Sequence, residues 1–238
     1  MLLDRGILKL CSFAEKFWVL GSFLVLIKKE WFLERRDKSL FAQTMLFEIA
    51  AIFTIYLLQK QITDERIFSI FLWLVILFSA FQLAAKNFSK DNESTLLFVR
   101  QYASADAYIF SKIVFNYCLL VLASFIGLIL FIVLFGFLEH SINYGLLISG
   151  VVLGAFCLSA VLSFVSAIGY KAGNSAGLTA VLGFPLILPG IMFSVRIIWY
   201  AMRDLDWSVG QKYVLALLGL NLLILALVKI LFPYLWRD

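Results

Sequence analysis

The chain has 238 residues, of which 63% are hydrophobic and 15% charged, with a formal net charge of +5 and a mean hydropathy of +0.98. A soluble globular domain is about 45–50% apolar, so these figures exclude one and point to a membrane protein. The apolar runs are continuous and do not alternate with a period of two, which excludes a closed barrel, and the basic excess needs no nucleic acid because Lys and Arg flank the runs, where anionic headgroups lie.

Residues 1–39 read as an N-terminal cytoplasmic or interfacial segment. Phe17 to Ile27, "FWVLGSFLVLI", has the length of a signal-peptide core, but no small-residue cleavage site follows it. It is also too short to span. "KKEWFLERRDK", Lys28 to Lys38, comes next. Leu24, Ile27 and Trp31 share one helical face, with Lys28, Lys29, Glu30, Arg35 and Arg36 around the rest. This spacing predicts an amphipathic helix in the headgroup plane, anchored by Trp31; the plainer alternative is a basic flank of the first span.

Crossing about 30 Å of hydrocarbon takes about 20 apolar residues in a helix. Six stretches qualify: Leu40 to Leu58, Ile67 to Ala85, Ile113 to Leu138, Gly145 to Gly169, Leu178 to Ile198 and Tyr213 to Phe232. The fold class is therefore all-α, a six-span bundle over residues 40–238 in one membrane domain. Glu48 falls inside the first span, where an ionisable group is expensive; it is expected to face the bundle interior.

Between spans two and three lies the polar stretch "SKDNESTLLFVRQYASADAY", Ser89 to Tyr108, within a loop expected over 86–112. Asp91 or Asn92 can cap a short helix there, with Leu96 and Val99 on one side. Such a helix, lying along the membrane, suits docking into a groove on another protein. The alternative is a solvated loop whose apolar residues fold back onto the bilayer.

Farther along, His140, the only histidine, sits beside Glu139 between spans three and four. It reads as an interface residue, although imidazole also ligates haem iron. Gly150 with Gly154, and Gly169, Gly173 and Gly177, repeat at four-residue spacing, which lets helices approach closely, either within the chain or across a dimer seam. The fifth span holds "GFPLILPG", Gly183 to Gly190; Pro185, Pro189 and Gly190 are expected to kink or break it near mid-bilayer, for packing or as a moving gate.

Lys and Arg set the orientation. Eight precede Leu40, four run from Lys86 to Lys112, and Lys171 and Arg237 follow on the same side; Lys60, Arg66, Arg196, Arg203 and Lys212 occupy the other. The positive-inside rule places both termini in the cytoplasm. No P-loop, GxSxG or HExxH motif is present. Cys11, Cys118 and Cys157 have no metal-site spacing. If this protein does work, another chain supplies the energy.

These features resemble the permease subunits of ABC-2 type exporters. Within that group the residues "KKEWFLERRDK", "LAAKNFSKD" at Leu83 to Asp91, "SKIVFN" at Ser111 to Asn116, "VSAIGYKAGNSAGLTAVLGFP" at Val165 to Pro185 and the terminal "FPYLWR" are similar to the CcmB haem-exporter family of the cytochrome c maturation system, in its Bacteroidetes-like branch. The family loop commonly carries a Gly near Ser94 and a Ser-Pro pair where this chain reads Ser104-Ala105.

The resemblance implies that the connector is a coupling helix seated in a cytoplasmic, CcmA-like ATPase, with Asp91, Glu93, Leu96, Leu97 and Arg100 as contacts. It further implies a haem-handling, CcmC-like membrane subunit, a periplasmic, CcmE-like haem chaperone, a homodimer within the complex and a place in the bacterial inner membrane. ATP would bind the partner, haem would be the possible cargo, and no cofactor or metal is assigned to this chain. Two other functions remain open at this point: export of a lipid, glycan or drug, and a non-transporting membrane scaffold.

Overall fold

The computed structural model of the chain describes residues 21–36, 39–59, 64–89, 99, 101–136, 141–171 and 175–237. Among these the regular structure is helical, with no strand. Helix α1 covers 21–36, α2 Ser39–Leu58, α3 Glu65–Ser89, α4 Ala105–Phe135, α5 Tyr144–Lys171, α6 Ser175–Met202 and α7 Trp207–Arg237. All but α1 are long and apolar enough to cross a membrane, so the chain is a polytopic membrane protein with six spans where the apolar runs placed them.

The helices outlast the spans. α4 begins at Ala105, well before Ile113, and its 31 residues reach about 46 Å at 1.5 Å each, more than the hydrocarbon layer needs. The apolar run reports how much helix sits in lipid, whereas the backbone keeps its hydrogen-bonded ladder into the polar zone. Consequently the connector between α3 and α4 is 90–104, shorter than the 86–112 expected. At its other end α4 stops at Gly136, whose φ of 75° is left-handed and whose N–H reaches Ile132 O, a conformation open to glycine at little cost.

α5 is the buried centre, packed on α3, α4, α6 and α7, while α2 packs on α3 and α4. Small residues make that centre possible. A Cβ on Gly150 would lie 2.9 Å from Ile197 of α6, and one on Gly154 would strike the Trp73 ring of α3 and come within 2.6 Å of Ser194 Oγ. Hydroxyl and amide groups add cross-links: Ser159 Oγ donates to Ile113 O on α4 (2.8 Å) and Asn221 Nδ2 on α7 donates to Leu153 O (3.1 Å). At the end away from the connector, Asn143 pins the α6–α7 turn by donating from Nδ2 to Leu205 O (2.9 Å) and from its backbone N–H to Ala201 O (2.9 Å).

Candidate functional site

The connector delivers the chain to α4 through a defined cap. Ala103 N donates to Val99 O at 2.8 Å, closing a helical turn in which Val99 is buried and Tyr102 exposed. Ser104 is extended (φ −73°, ψ 153°) and its Oγ accepts from Ala107 N at 3.2 Å, satisfying one of the donors that a helix start leaves free. Ala105 then holds the first helical position, which proline also favours. Reading Ser-Ala where the similar family has Ser-Pro therefore keeps the same cap. Val99 is buried against the bundle. Asp91, Glu93, Leu96, Leu97 and Arg100 lie outside the described residues.

One and two turns into α4, Tyr108 and Lys112 form the centre of a cluster. Lys112 is fully buried, its Nζ 3.0 Å from Glu30 Oε1 on α1 and 5.8 Å from the Tyr108 ring. Taking an ammonium out of water costs several kcal/mol unless a buried partner offsets it, and Glu30, itself buried, is that partner. On the other flank, Tyr108 lies 4.8 Å from the Trp236 ring and is stacked on Phe232 at 6.3 Å, both on the last turns of α7. Trp31 of α1 meets Phe115 edge-on at 5.8 Å. Below them Asn116 Nδ2 donates to Ser163 Oγ on α5 at 2.8 Å. The first turns of α4 are thus in contact with α1, α5 and α7 together.

α1 buries a face that its sequence did not single out. Leu26, Glu30 and Glu34 form its buried stripe, with Phe23 and Trp31 packed beside them, while Leu24 and Phe32 are exposed. Glu34 Oε1 accepts from Phe41 N at 2.9 Å, placing an anion at the start of α2, where the helix dipole favours it. Lys28, Arg35 and Arg36 are exposed, and Lys29 lies 3.4 Å from Glu30. Sequence reasoning grouped Glu30 with the polar face and counted Lys112 as a loop cation. The overlooked signal was the i, i+4, i+8 recurrence of Leu26, Glu30 and Glu34 in an otherwise basic segment.

The remaining candidates are scattered. α6 contains Pro185 and Pro189 yet runs as one helix, so of the kink or break expected there the helix is not broken. Gly190 is a contact point, where a Cβ would lie 2.5 Å from Cys157 Sγ. Gly150, Gly154 and Gly169 are buried on α5 within the chain, which removes them from a dimer seam; Gly177 is exposed, and Gly173 lies outside the described residues, as does His140. Glu48 does face inward, against Gly127 of α4, and neither carboxyl oxygen has a partner among the described residues.

The segments that meet around Lys112 carry the sequence resemblance: "KKEWFLE" on α1, "SKIVFN" on α4 and "FPYLW" on α7. A family model described as CcmB protein matches residues 21–233, from the start of α1 into the last turns of α7. The chain belongs to the CcmB family. No curated protein matches it. As a CcmB protein it is a membrane permease subunit of the haem-export ABC transporter class that serves c-type cytochrome biogenesis.

Proposed function

We propose that this CcmB chain couples ATP hydrolysis on a separate cytoplasmic subunit to haem handling for c-type cytochrome assembly. In this reading both termini and the connector 90–104 are cytoplasmic, in the bacterial inner membrane. Asp91, Glu93, Leu96, Leu97 and Arg100 meet the ATPase, and its movement enters the bundle at the Ser104 cap. Tyr108 and Lys112 pass that movement to α1 through Glu30 and to α7 through Trp236. Haem is cargo, a haem-handling membrane subunit and a haem chaperone are partners, and a second copy of the chain completes the permease.

The observation that supports the coupling route is the buried Lys112–Glu30 pair at the end of α4 nearest the connector. An ammonium and a carboxylate held 3.0 Å apart out of solvent resist separation, because parting them leaves two uncompensated charges. α1 must therefore follow α4.

The test is Leu96→Asp with Leu97→Asp in the intact complex. The double variant accumulates normally, fails to co-purify with the ATPase and loses c-type cytochromes, with lipid and glycan profiles unchanged. Normal cytochrome maturation with the ATPase still bound contradicts the proposal.

A further inference from the structure

Glu48 is the single charged residue of α2 and stands midway along it, about 14 Å from either end at 1.5 Å per residue. It is 1% exposed. Its carboxyl lies against the α4 backbone at Gly127, where an added Cβ would strike Oε1 and come within 3.0 Å of Cδ. Neither oxygen has a hydrogen-bond partner among the described residues. An ionised carboxyl in that position is expensive, because neither water nor a donor compensates its charge.

The polar groups that flank this carboxyl on α2 and α4 are acceptors. Backbone N–H groups around Gly127 are spent in the ladder of α4, so only carbonyl lone pairs remain on that side. One turn from Glu48 on the same face, buried Thr44 donates its hydroxyl hydrogen to Leu40 O at 2.8 Å. Three residues from Gly127, buried Ser124 does the same to Leu120 O at 2.7 Å. Both hydroxyls are left with lone pairs. On α3 the buried Ser79 hydroxyl makes no hydrogen bond to Glu48 or to any other described residue. A carboxylate brings only acceptors to such a place, whereas a carboxylic acid brings one O–H donor.

Among the described residues no cation lies within ion-pair distance of Glu48. α2 packs on α3 and α4. On α3, Glu65 is 3.6 Å from Arg203 and Arg66 stands over Trp199 at 5.6 Å, both at the end away from the connector, and Lys86 belongs to the last turn at the other end. On α4, Tyr117 and Cys118 are at least about 13 Å from Gly127 along the axis, Lys112 is about 22 Å away and held by Glu30, and Asp106 is farther still. Glu34 of α1 is occupied by Phe41 N at the start of α2. No group of three or more His, Cys, Asp or Glu among the described residues is placed to hold a metal ion. The cation that one isolated carboxyl can bind is a proton.

We propose that Glu48 is a proton-binding site of the membrane interior: its carboxyl is the neutral acid while α2 is packed on α4, and loss of the proton parts the two helices. Binding adds H+ from water to the carboxylate and forms one O–H bond; release breaks that bond and returns the proton to water. α2 is suited to such a movement. It packs on two spans, α3 and α4, where the central α5 packs on four, and at Gly127 no side chain holds it.

The test follows the full chain in phosphatidylcholine nanodiscs by infrared spectroscopy and by thermal unfolding, from about pH 5 to about pH 10. The wild type is expected to show a protonated-carboxyl band at low pH that Glu48→Gln lacks and Glu48→Asp retains, and that band loses about tenfold or more of its amplitude as the pH rises. Stability moves with the same sign, because the neutral form is the one the packed bundle accepts: wild type and Glu48→Gln unfold at the same temperature at low pH, and the wild type falls below the variant at high pH. The titration of the band in the wild type stands even if a variant folds poorly. Spectra of wild type and Glu48→Gln that agree in this region throughout overturn the proton site. A band that does not change with pH, with an unfolding temperature that keeps a constant offset from that of Glu48→Gln, overturns the release of α2.

Discussion

At the scale of single residues, Lys112 decides most. It is a buried cation whose charge is matched across the helix interface by Glu30. Removing one partner strands the other, at a cost of about 3 kcal/mol or more. Lys112→Met is therefore expected to lower the thermal unfolding temperature of the detergent-solubilised complex, and Glu30→Gln with Lys112→Met to regain part of that loss. Equal stability of the single and double variants would show that the two charges do not act as a pair. Ser104 allows a finer test. Because Ala105 stands at the first helical position with no demand on its N–H, Ala105→Pro should leave stability unchanged or slightly raised, whereas Ser104→Ala should cost about 1 kcal/mol; both are read by thermal unfolding. Little of this was legible beforehand. A charge pair formed between distant segments leaves no local periodicity, and Lys112 beside a polar loop reads as one more interfacial cation until α4 is seen to begin at Ala105.

Elements were easier to read, because hydrocarbon imposes one length and one backbone solution on every span. All six spans fall within observed helices or within a few residues of their ends. What hydropathy hides is how far each helix continues into the polar zone and which face turns inward. For α1 the expectation singled out Leu24, Ile27 and Trp31 as the apolar face, whereas the stripe turned to the bundle is Leu26, Glu30 and Glu34, whose carboxylates are received by Lys112 and the start of α2. The glycine spacing on α5 was legible as close approach but not as to partner, since Gly154 is filled by Trp73 of α3 and Ser194 of α6. Gly154→Leu should accordingly disrupt three helices at once. Its effect is expected to exceed the usual 1–3 kcal/mol of an overpacked site, seen as loss of the chain from membranes in an immunoblot; accumulation at the wild-type level would contradict that packing.

For the whole molecule, CcmB membership supplies the transport class, and the packing of the helices supports the coupling route proposed above. Segments far apart in sequence close on the first turns of α4, where Lys112 and Tyr108 meet α1 and α7. The opposite end gathers the rings of Trp199, Tyr200 and Tyr213. The most direct measurement is the accessibility of one cysteine placed at Leu97 in a cysteine-free chain. Intact cells treated with a membrane-impermeant maleimide should leave it unlabelled until the membrane is opened, and a photocross-linker at the same position should capture the ATPase. Labelling from outside, in a chain that still supports cytochrome assembly, would contradict the coupling account.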